Sequence, residues 1–368
     1  MNNFDAHIFG PVFSATGVGE SARAYWRTLM ATGLKVGVFP QAHPFNKEER
    51  LLAESFRKYI VNEPHPKLNF YRINAQEVSD LPGKVLQKNW NASVNVLIPM
   101  WETPKLPTVW EKEIVRFDHI VAATSFIKTS IESAKKNVPV SVIPHAITTI
   151  EDKRVTTRGL GLSDDRRYHL YSFSYSSHVS RKNPMQFLEL KKMYCEENQF
   201  GKDVFVLASS DLPRNEADSF FHNTFLNEQD SNFVYLSGGR TRREHLSLIA
   251  NANTFVSVHR SEGIGLQLVE AMKLGTNIVT HDFSGPADFI SPTDPGIFPF
   301  TLNQIKPEEY PHSSGHFWAE MKTEEILRAM SSCESDFSAS LNMRQRVIDY
   351  FSLSNTSEMS ANLLAEIL

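Results

Sequence analysis

Short apolar segments rich in Val, Ile and Phe recur along the chain, separated by longer stretches whose apolar residues return at helical period. This alternation constrains the fold more than any single motif, because a near-continuous apolar strand is buried on both faces and needs helices on each side of its sheet. In the first half the strand segments read AHIFG, KVGVF, LNFYRI, VNVLIP, HIVAAT and VSVIP, with helices expected at about 18 to 32, 47 to 60, 107 to 116 and 125 to 136. A second series reads YHLYSFSY, DVFVLAS, NFVYLS, TFVSVH and TNIVTH, with helices near 184 to 195, 215 to 227, 241 to 251 and 266 to 274. Between the two, TTIEDKRVTTRGLGLSDDRR at 148–167 is charged, contains glycine and lacks apolar periodicity, which makes it the expected linker. The sequence therefore predicts α/β architecture with two Rossmann-like domains. After about residue 320 it becomes mainly helical through TEEILRAM, MRQRVIDYF and NLLAEIL, which periodicity assigns to neither domain.

At 368 residues, with 41% apolar and 22% charged residues, the composition is that of a folded globular protein rather than a disordered or fibrous one. Cys195 and Cys333 fall in no CxxC or Cys/His spacing, so neither a disulfide framework nor a zinc site is expected, and a reducing compartment fits. The opening MNNFDAHIFGPVFSA has no positive segment before its short apolar run, and no apolar run reaches about 18 residues. A cytoplasmic location is expected. The first 155 residues carry 19 Lys+Arg against 15 Asp+Glu and the remainder 19 against 27, giving +4 and −8. The mildly basic half suits peripheral contact with an anionic membrane face or an anionic substrate, although ordinary solvated charge reads the same. No nucleic-acid partner is expected.

HRSEGIGLQLVEAM at 259–272 places Glu262 and Glu270 on either side of a Gly-Ile-Gly turn that opens a helix just after the strand TFVSVH. Ligands of a doubly wound sheet bind at the carboxyl ends of its strands. Gly263 and Gly265 allow close backbone approach, and the helix start offers N–H groups to phosphate or sugar oxygens. Glu262 could accept from hydroxyls there, and Glu270 from a second set such as a ribose diol; the bland alternative is a loop carboxylate and an exposed helix glutamate. In SYSSHVSRKNPMQFLEL the loop after a strand carries Arg181 and Lys182, suited to a diphosphate, though a basic surface pair is as common. FSATGVGESARAYWRTLMATG sets Gly17 and Gly19 between the first strand and helix, for a ligand or for tight packing. IPMWETPKLPTVW puts Trp101 and Glu102 after a strand, as a sugar-lining pair or as a core indole and a capping carboxylate. GxSxG, Walker A, HExxH and D-x-D sequences are absent, so hydrolase, P-loop and metalloprotease chemistry lose ground.

Taken together these residues resemble the GT-B glycosyltransferases of family 4, whose hallmark of two glutamates with seven residues between them reads EGIGLQLVE here, followed by AMKLGTNIVT. GVGESARAYWRTLM, SVIPHAI, SRKNP, RREHLSLIANANTFVSVHRSEG and YPHSSGHFWAE also resemble a bacterial surface-polysaccharide branch, so the likeness extends over most of 8 to 320. The resemblance implies a GT-B fold facing a central cleft: an acceptor domain at 1–155, a nucleotide-sugar domain at 156–340, and helices at 341–368 that cross back to the first domain. It implies retaining hexosyl transfer without a metal or cofactor, from a GDP- or UDP-linked sugar to a glycan or lipid-linked acceptor, at the cytoplasmic face of the inner membrane.

By the same resemblance Arg181 and Lys182 take the diphosphate, Glu270 the ribose, and Glu262 with the backbone of Gly263, Ile264, Gly265 and Leu266 the sugar. Gly17, Gly19, Trp101 and Glu102 face the acceptor, with Glu102 beside Glu262, Arg181 and Lys182 as a catalytic candidate. Two departures stand out: FSYSSHVS replaces the usual Gly-Arg after the first strand of the second domain, and PMWE stands where a histidine is usual. A catalytically silent GT-B module that binds a partner transferase or a glycan is the alternative, and a GT-B epimerase a third. Measurable sugar turnover separates the first two.

Overall fold

The apolar runs of the first half pair in parallel into one sheet. They are β1 (Ala6–Gly10), β2 (Val36–Pro40), β3 (Leu68–Tyr71), β4 (Val94–Leu97), β5 (His119–Ala122) and β6 (Val140–Val142), in the order β2-β1-β3-β4-β5-β6. Every residue of β1, β3 and β5 is buried, as strands covered on both faces must be. In the computed structural model residues 4–44, 46–78, 81, 90–147, 166–198, 203–335 and 337–368 are described. Of the charged stretch at 148–167, all but 166 and 167 lies outside them.

Helix α1 (Gly17–Ala31) starts at Thr16, whose side chain accepts from the Gly19 N–H, and α2 (Lys47–Ser55) starts in the same way at Asn46. The helix expected at 107 to 116 is instead a 3₁₀ turn, Thr108–Trp110, run into a single helical turn, Glu111–Ile114. The one expected at 125 to 136 is shorter, α3 (Ser125–Glu132), and the chain turns at Lys135 with φ of 52°.

The second series forms a parallel sheet of β7 (Tyr168–Phe173), β8 (Val204–Ser209), β9 (Phe233–Leu236), β10 (Thr254–Val256) and β11 (Asn277–Val279), in the order β11-β10-β7-β8-β9. Its helices are α4 (Pro184–Glu197), α5 (Glu216–Asn227), α6 (Arg242–Ala250) and α7 (Leu266–Leu274). Pro184 occupies the first turn of α4, where its missing N–H costs nothing. An antiparallel hairpin, β12 (Thr301–Gln304) with β13 (Phe317–Glu320), was not legible, because TLNQ is exposed throughout and carries no apolar alternation.

The chain divides into two units, Met1–Thr148 with Asp349–Leu368, and Thr149–Ile348. Three helices close it: α8 (Thr323–Ser335), α9 (Phe337–Tyr350) and α10 (Leu353–Ile367). The last belongs to the first unit. Its Leu363 and Leu364 enter the core formed by Ile8, Val36, Val38 and Phe70, and Thr356 meets Thr28 of α1 at 3.3 Å. Among the described residues no helix is long and apolar enough to cross a membrane.

Candidate functional site

In the second sheet the order reverses about β7, with β8 and β9 to one side and β10 and β11 to the other. The segments leaving β7 and β10 diverge, and a crevice at the carboxyl ends of such strands is where an open α/β sheet binds ligands. Arg181 and Lys182 lie in the segment after β7, and Glu262 in the segment after β10. The structure brings all three together: Arg181 Nη1 lies 3.3 Å from Glu262 Oε2, and Lys182 Nζ meets Glu262 Oε1.

Arg181 is not a surface residue. It is 3% exposed, and Nη1 also donates to the Ser261 carbonyl at 2.7 Å. Arg260 returns the clasp, donating from Nη1 to the Ser180 carbonyl at 2.8 Å and from its backbone N–H to the Arg181 carbonyl at 2.7 Å. Arg260 is itself held by Glu320 at 2.6 Å and by the Trp318 ring at 4.9 Å, both on β13. The unforeseen hairpin therefore braces the basic pair, which the structure places not in a loop but in a single helical turn, Val179–Lys182.

Burial pushes the Glu262 carboxyl up, but the Lys182 and Arg181 charges outweigh it and hold the group at about 2. Glu262 is thus ionised, and with two cations against one anion the cluster keeps one net positive charge. It sits before the N-terminus of α7, where Gly265 at φ of 84° is the N-cap. A ligand phosphate would find two cations and backbone N–H groups in one place.

Beneath the cluster His281 Nε2 donates to the His259 carbonyl at 2.5 Å while its Nδ1 accepts from the Phe283 N–H, which fixes the tautomer. Burial lowers His281 to about 4 and His259 well below the usual histidine value, so this pair of rings, tilted against each other with centroids 4.5 Å apart, is neutral. Backbone strain gathers here too: His178 (φ 63°), Asn183 (φ 54°) and Ser284 (φ 67°) are non-glycine residues in the left-handed half of backbone space. Ser284 Oγ accepts from the Glu262 N–H at 2.9 Å, and the Gly285 N–H donates to the Glu262 carbonyl at 2.9 Å.

At Gly285 a Cβ would stand 2.1 Å from the Gly263 carbonyl oxygen. Gly285→Ala is expected to force the 262–265 turn away at about 1–3 kcal/mol, typical of overpacking, which lowers the melting temperature by several degrees. A thermal melt identical to that of the parent would show that the two loops do not pack so tightly.

Glu270 stands on α7 and is 2% exposed, so it is no exposed helix glutamate. Its Oε1 is 2.5 Å from Arg242 Nη2, at the start of α6, and its Oε2 is 3.9 Å from His245 Nε2. The two glutamates therefore have separate cation partners. Ile264 and Gly265 are buried in the turn between them, and Leu266 is half-buried.

The remaining candidates belong to the first unit. Gly19 is a packing glycine, since a Cβ there would lie 2.0 Å from the Ser14 carbonyl oxygen; Gly17 is exposed. Trp101 is buried, donates to the Lys105 carbonyl at 2.6 Å and packs edge-on against Trp110 at 4.9 Å. Glu102, half-buried, lies near enough to the buried Arg72 to act on its charge. Among the described residues no group of three or more His, Cys, Asp or Glu could hold a metal ion. Arg242, His245, Arg260 and Ser284 were missed by sequence reasoning; only the basic run RREH before a helix carried any signal for the first two.

With this geometry in view, residues 170–303 match the family described as glycosyl transferases group 1. No curated protein sequence matches the chain. Among solved structures, the chain is similar to trehalose-6-phosphate synthase OtsA, with a TM-score of 0.67 and 10% identity over 99% of both chains. It is also similar to Anabaena HepE solved with UDP and glucose, with a TM-score of 0.65 and 12% identity over 98% of this chain and 100% of that one. S. aureus TarM solved with UDP, fondaparinux and α-GlcNAc-glycerol gives 0.56 and 14% identity over 81% of this chain, which spans only 56% of TarM. The fold is GT-B, two Rossmann-like α/β units with a helical C-terminus.

Proposed function

We propose that the protein is a glycosyltransferase that moves a sugar, with retention of anomeric configuration, from a nucleotide-diphosphate sugar to a glycan or lipid-linked glycan of a bacterial surface polysaccharide. The observation that carries this reading is the cluster of half-buried Glu262 and Lys182 with buried Arg181 at the sheet's switch point, and buried Glu270 on the helix it opens. The match at 170–303 covers this same segment.

Lys182 and Arg181 take the donor diphosphate, Glu270 the ribose, and Glu262 with the Gly263 to Leu266 backbone the sugar. As the C1–O bond breaks, its electron pair passes to the leaving phosphate oxygen, and positive charge grows at C1. The fixed cations stabilise the departing diphosphate and the Glu262 carboxylate stabilises C1, each without reorganisation at the moment of reaction. The acceptor hydroxyl bonds to C1 on the face the phosphate leaves, and its proton goes to that phosphate. Glu102 and the exposed Gly17 at the start of α1 serve the acceptor in the first unit, while Gly19 packs against Ser14 and Trp101, packed on Trp110, supports its own segment.

The test is a set of UDP- and GDP-sugars with glycan and lipid-linked acceptors, products read by mass spectrometry. Transfer is expected at full rate in excess EDTA, because the leaving charge rests on Lys182 and Arg181. Activity lost to EDTA and restored by Mg²⁺ or Mn²⁺ would overturn that assignment. Tight donor binding without turnover on any acceptor would return the silent-module reading.

A further inference from the structure

The first unit holds a buried charge that the donor reading does not use. Its sheet order reverses about β1, with β2 on one side and β3 to β6 on the other, and ligands of such sheets bind at the carboxyl ends of the strands there. Arg72 directly follows β3 and is 1% exposed. Its Nε donates to Ser21 Oγ on α1 at 2.8 Å and its Nη1 to the Ile98 carbonyl, just after β4, at 3.3 Å, while Nη2 meets no acceptor among the described residues. No carboxylate of the described residues lies within ion-pair distance of it: Glu20 is engaged by Arg23 and Arg27, and Glu77 and Glu102 act on the Arg72 charge from further off. A guanidinium only donates, so Ser21 accepts from Arg72 and gives its own proton to His145 Nδ1 at 3.3 Å, which leaves the His145 proton on Nε2. That N–H is also buried and meets no acceptor among the described residues, and burial with the Arg72 charge lowers the ring to about 3, so it is neutral. Two buried donors and one net positive charge therefore flank a single hydroxyl. Buried charges are normally paired and buried donors satisfied, and an oxyanion meets both needs.

We propose that Arg72 and His145 form an oxyanion-binding pair at the switch point of the first sheet, and that the acceptor of this transferase carries the phosphate or carboxylate that fills it. The anion accepts from Arg72 Nη2 and from His145 Nε2–H. With both donors inside the protein, only a small terminal group reaches them, one phosphate or carboxylate and not a sugar ring. The inference rests on the reading of the first unit as the acceptor unit, and adds a charge to the acceptor. A site built around unmet donors rejects a neutral ligand that leaves them unmet.

The first measurement is thermal unfolding of the full chain with inorganic phosphate and with acetate, on a Lys182→Ala background that weakens anion binding at the donor cations. At least one anion is expected to raise the melting temperature by a few degrees, and Arg72→Gln to remove that rise. Arg72→Lys, which keeps the charge, should retain part of it. Without anion Arg72→Gln should melt no lower than its parent, because it takes away an uncompensated buried charge; an arginine kept for structure alone would melt lower. The second compares a neutral glycoside, its uronic acid, its phosphate and a lipid-diphosphate glycan as acceptors for UDP- and GDP-sugars. An anionic member is expected to exceed the neutral one roughly tenfold or more in kcat/KM, through KM, and Arg72→Gln and His145→Gln to bring that ratio towards one with nucleotide affinity unchanged in calorimetry. The preferred anion tells an acidic sugar from a lipid phosphate. A thermal response to phosphate and acetate that is absent in the wild-type site or survives Arg72→Gln, or a wild-type preference for the neutral acceptor, overturns the pair and leaves the transferase reading intact. Failure to bind any nucleotide overturns the donor reading instead, while the thermal response still decides the pair. If Arg72→Gln is misfolded by circular dichroism, His145→Gln carries the same comparison.

Discussion

Glu262→Ala is expected to abolish measurable transfer and to destabilise the second unit by about 3–5 kcal/mol, the usual cost of removing one member of a buried ion pair. The large figure follows from what is left behind. Arg181 is 3% exposed and keeps its guanidinium beside the Ser261 carbonyl after losing the Glu262 carboxylate. Thermal or urea unfolding reads the stability change. A variant as stable as the parent would mean that the cluster contributes little to the fold.

The same carboxylate sets a pH dependence. Its folded value of about 2 lies below the ordinary 4.5, so the unfolded chain binds the proton more tightly. The stabilisation is complete above pH 4.5 and is lost as the pH falls through 2, on the order of 3 kcal/mol in all. Glu262→Gln should flatten the stability curve within that window. A curve that kept its slope would assign the dependence to other carboxylates.

Arg181 and Lys182, adjacent in sequence, are expected to fail differently when replaced. Arg181→Ala removes a guanidinium that joins the β7 and β10 loops through Ser261 and Glu262, and should cost about 3–5 kcal/mol of stability. Lys182→Ala leaves that clasp and the Arg260 bonds to Ser180 and Arg181 in place. Its larger effect should be on donor affinity, roughly tenfold to a hundredfold for a lost charged hydrogen bond. Unfolding and calorimetry on the two variants read the split. Equal stability loss in both would mean that the pair acts as one structural unit.

The strain at His178, Asn183 and Ser284 accords with this division of labour. Each adopts a positive φ that a glycine would accept at less cost, and each stands beside the basic pair or the Glu262 turn. Strained backbone persists only where surrounding contacts over-determine it. Here Arg260, Glu320 and the Ser284 hydroxyl supply those contacts.

The sequence by itself determined the two series of buried strands, the order in which strands and helices alternate, and the pairing of Glu262 with the glycine turn before α7. These are local properties: period, apolar runs and φ freedom are written in neighbouring residues. It also marked Arg181 and Lys182 as a basic pair after a strand. What it could not decide was which of its open alternatives held, because burial and partners come from residues far along the chain. Only the tertiary structure buried Glu270, turned Arg181 from a surface cation into a clasp on Ser261, and made Gly19 a packing residue. It alone assigned Leu363 and Leu364 to a core built from strands some three hundred residues earlier, which no helical period can indicate. The hairpin behind Arg260 was hidden for the same reason: its strand TLNQ is exposed and polar, and its work is done by Trp318 and Glu320, whose partner lies about sixty residues before them.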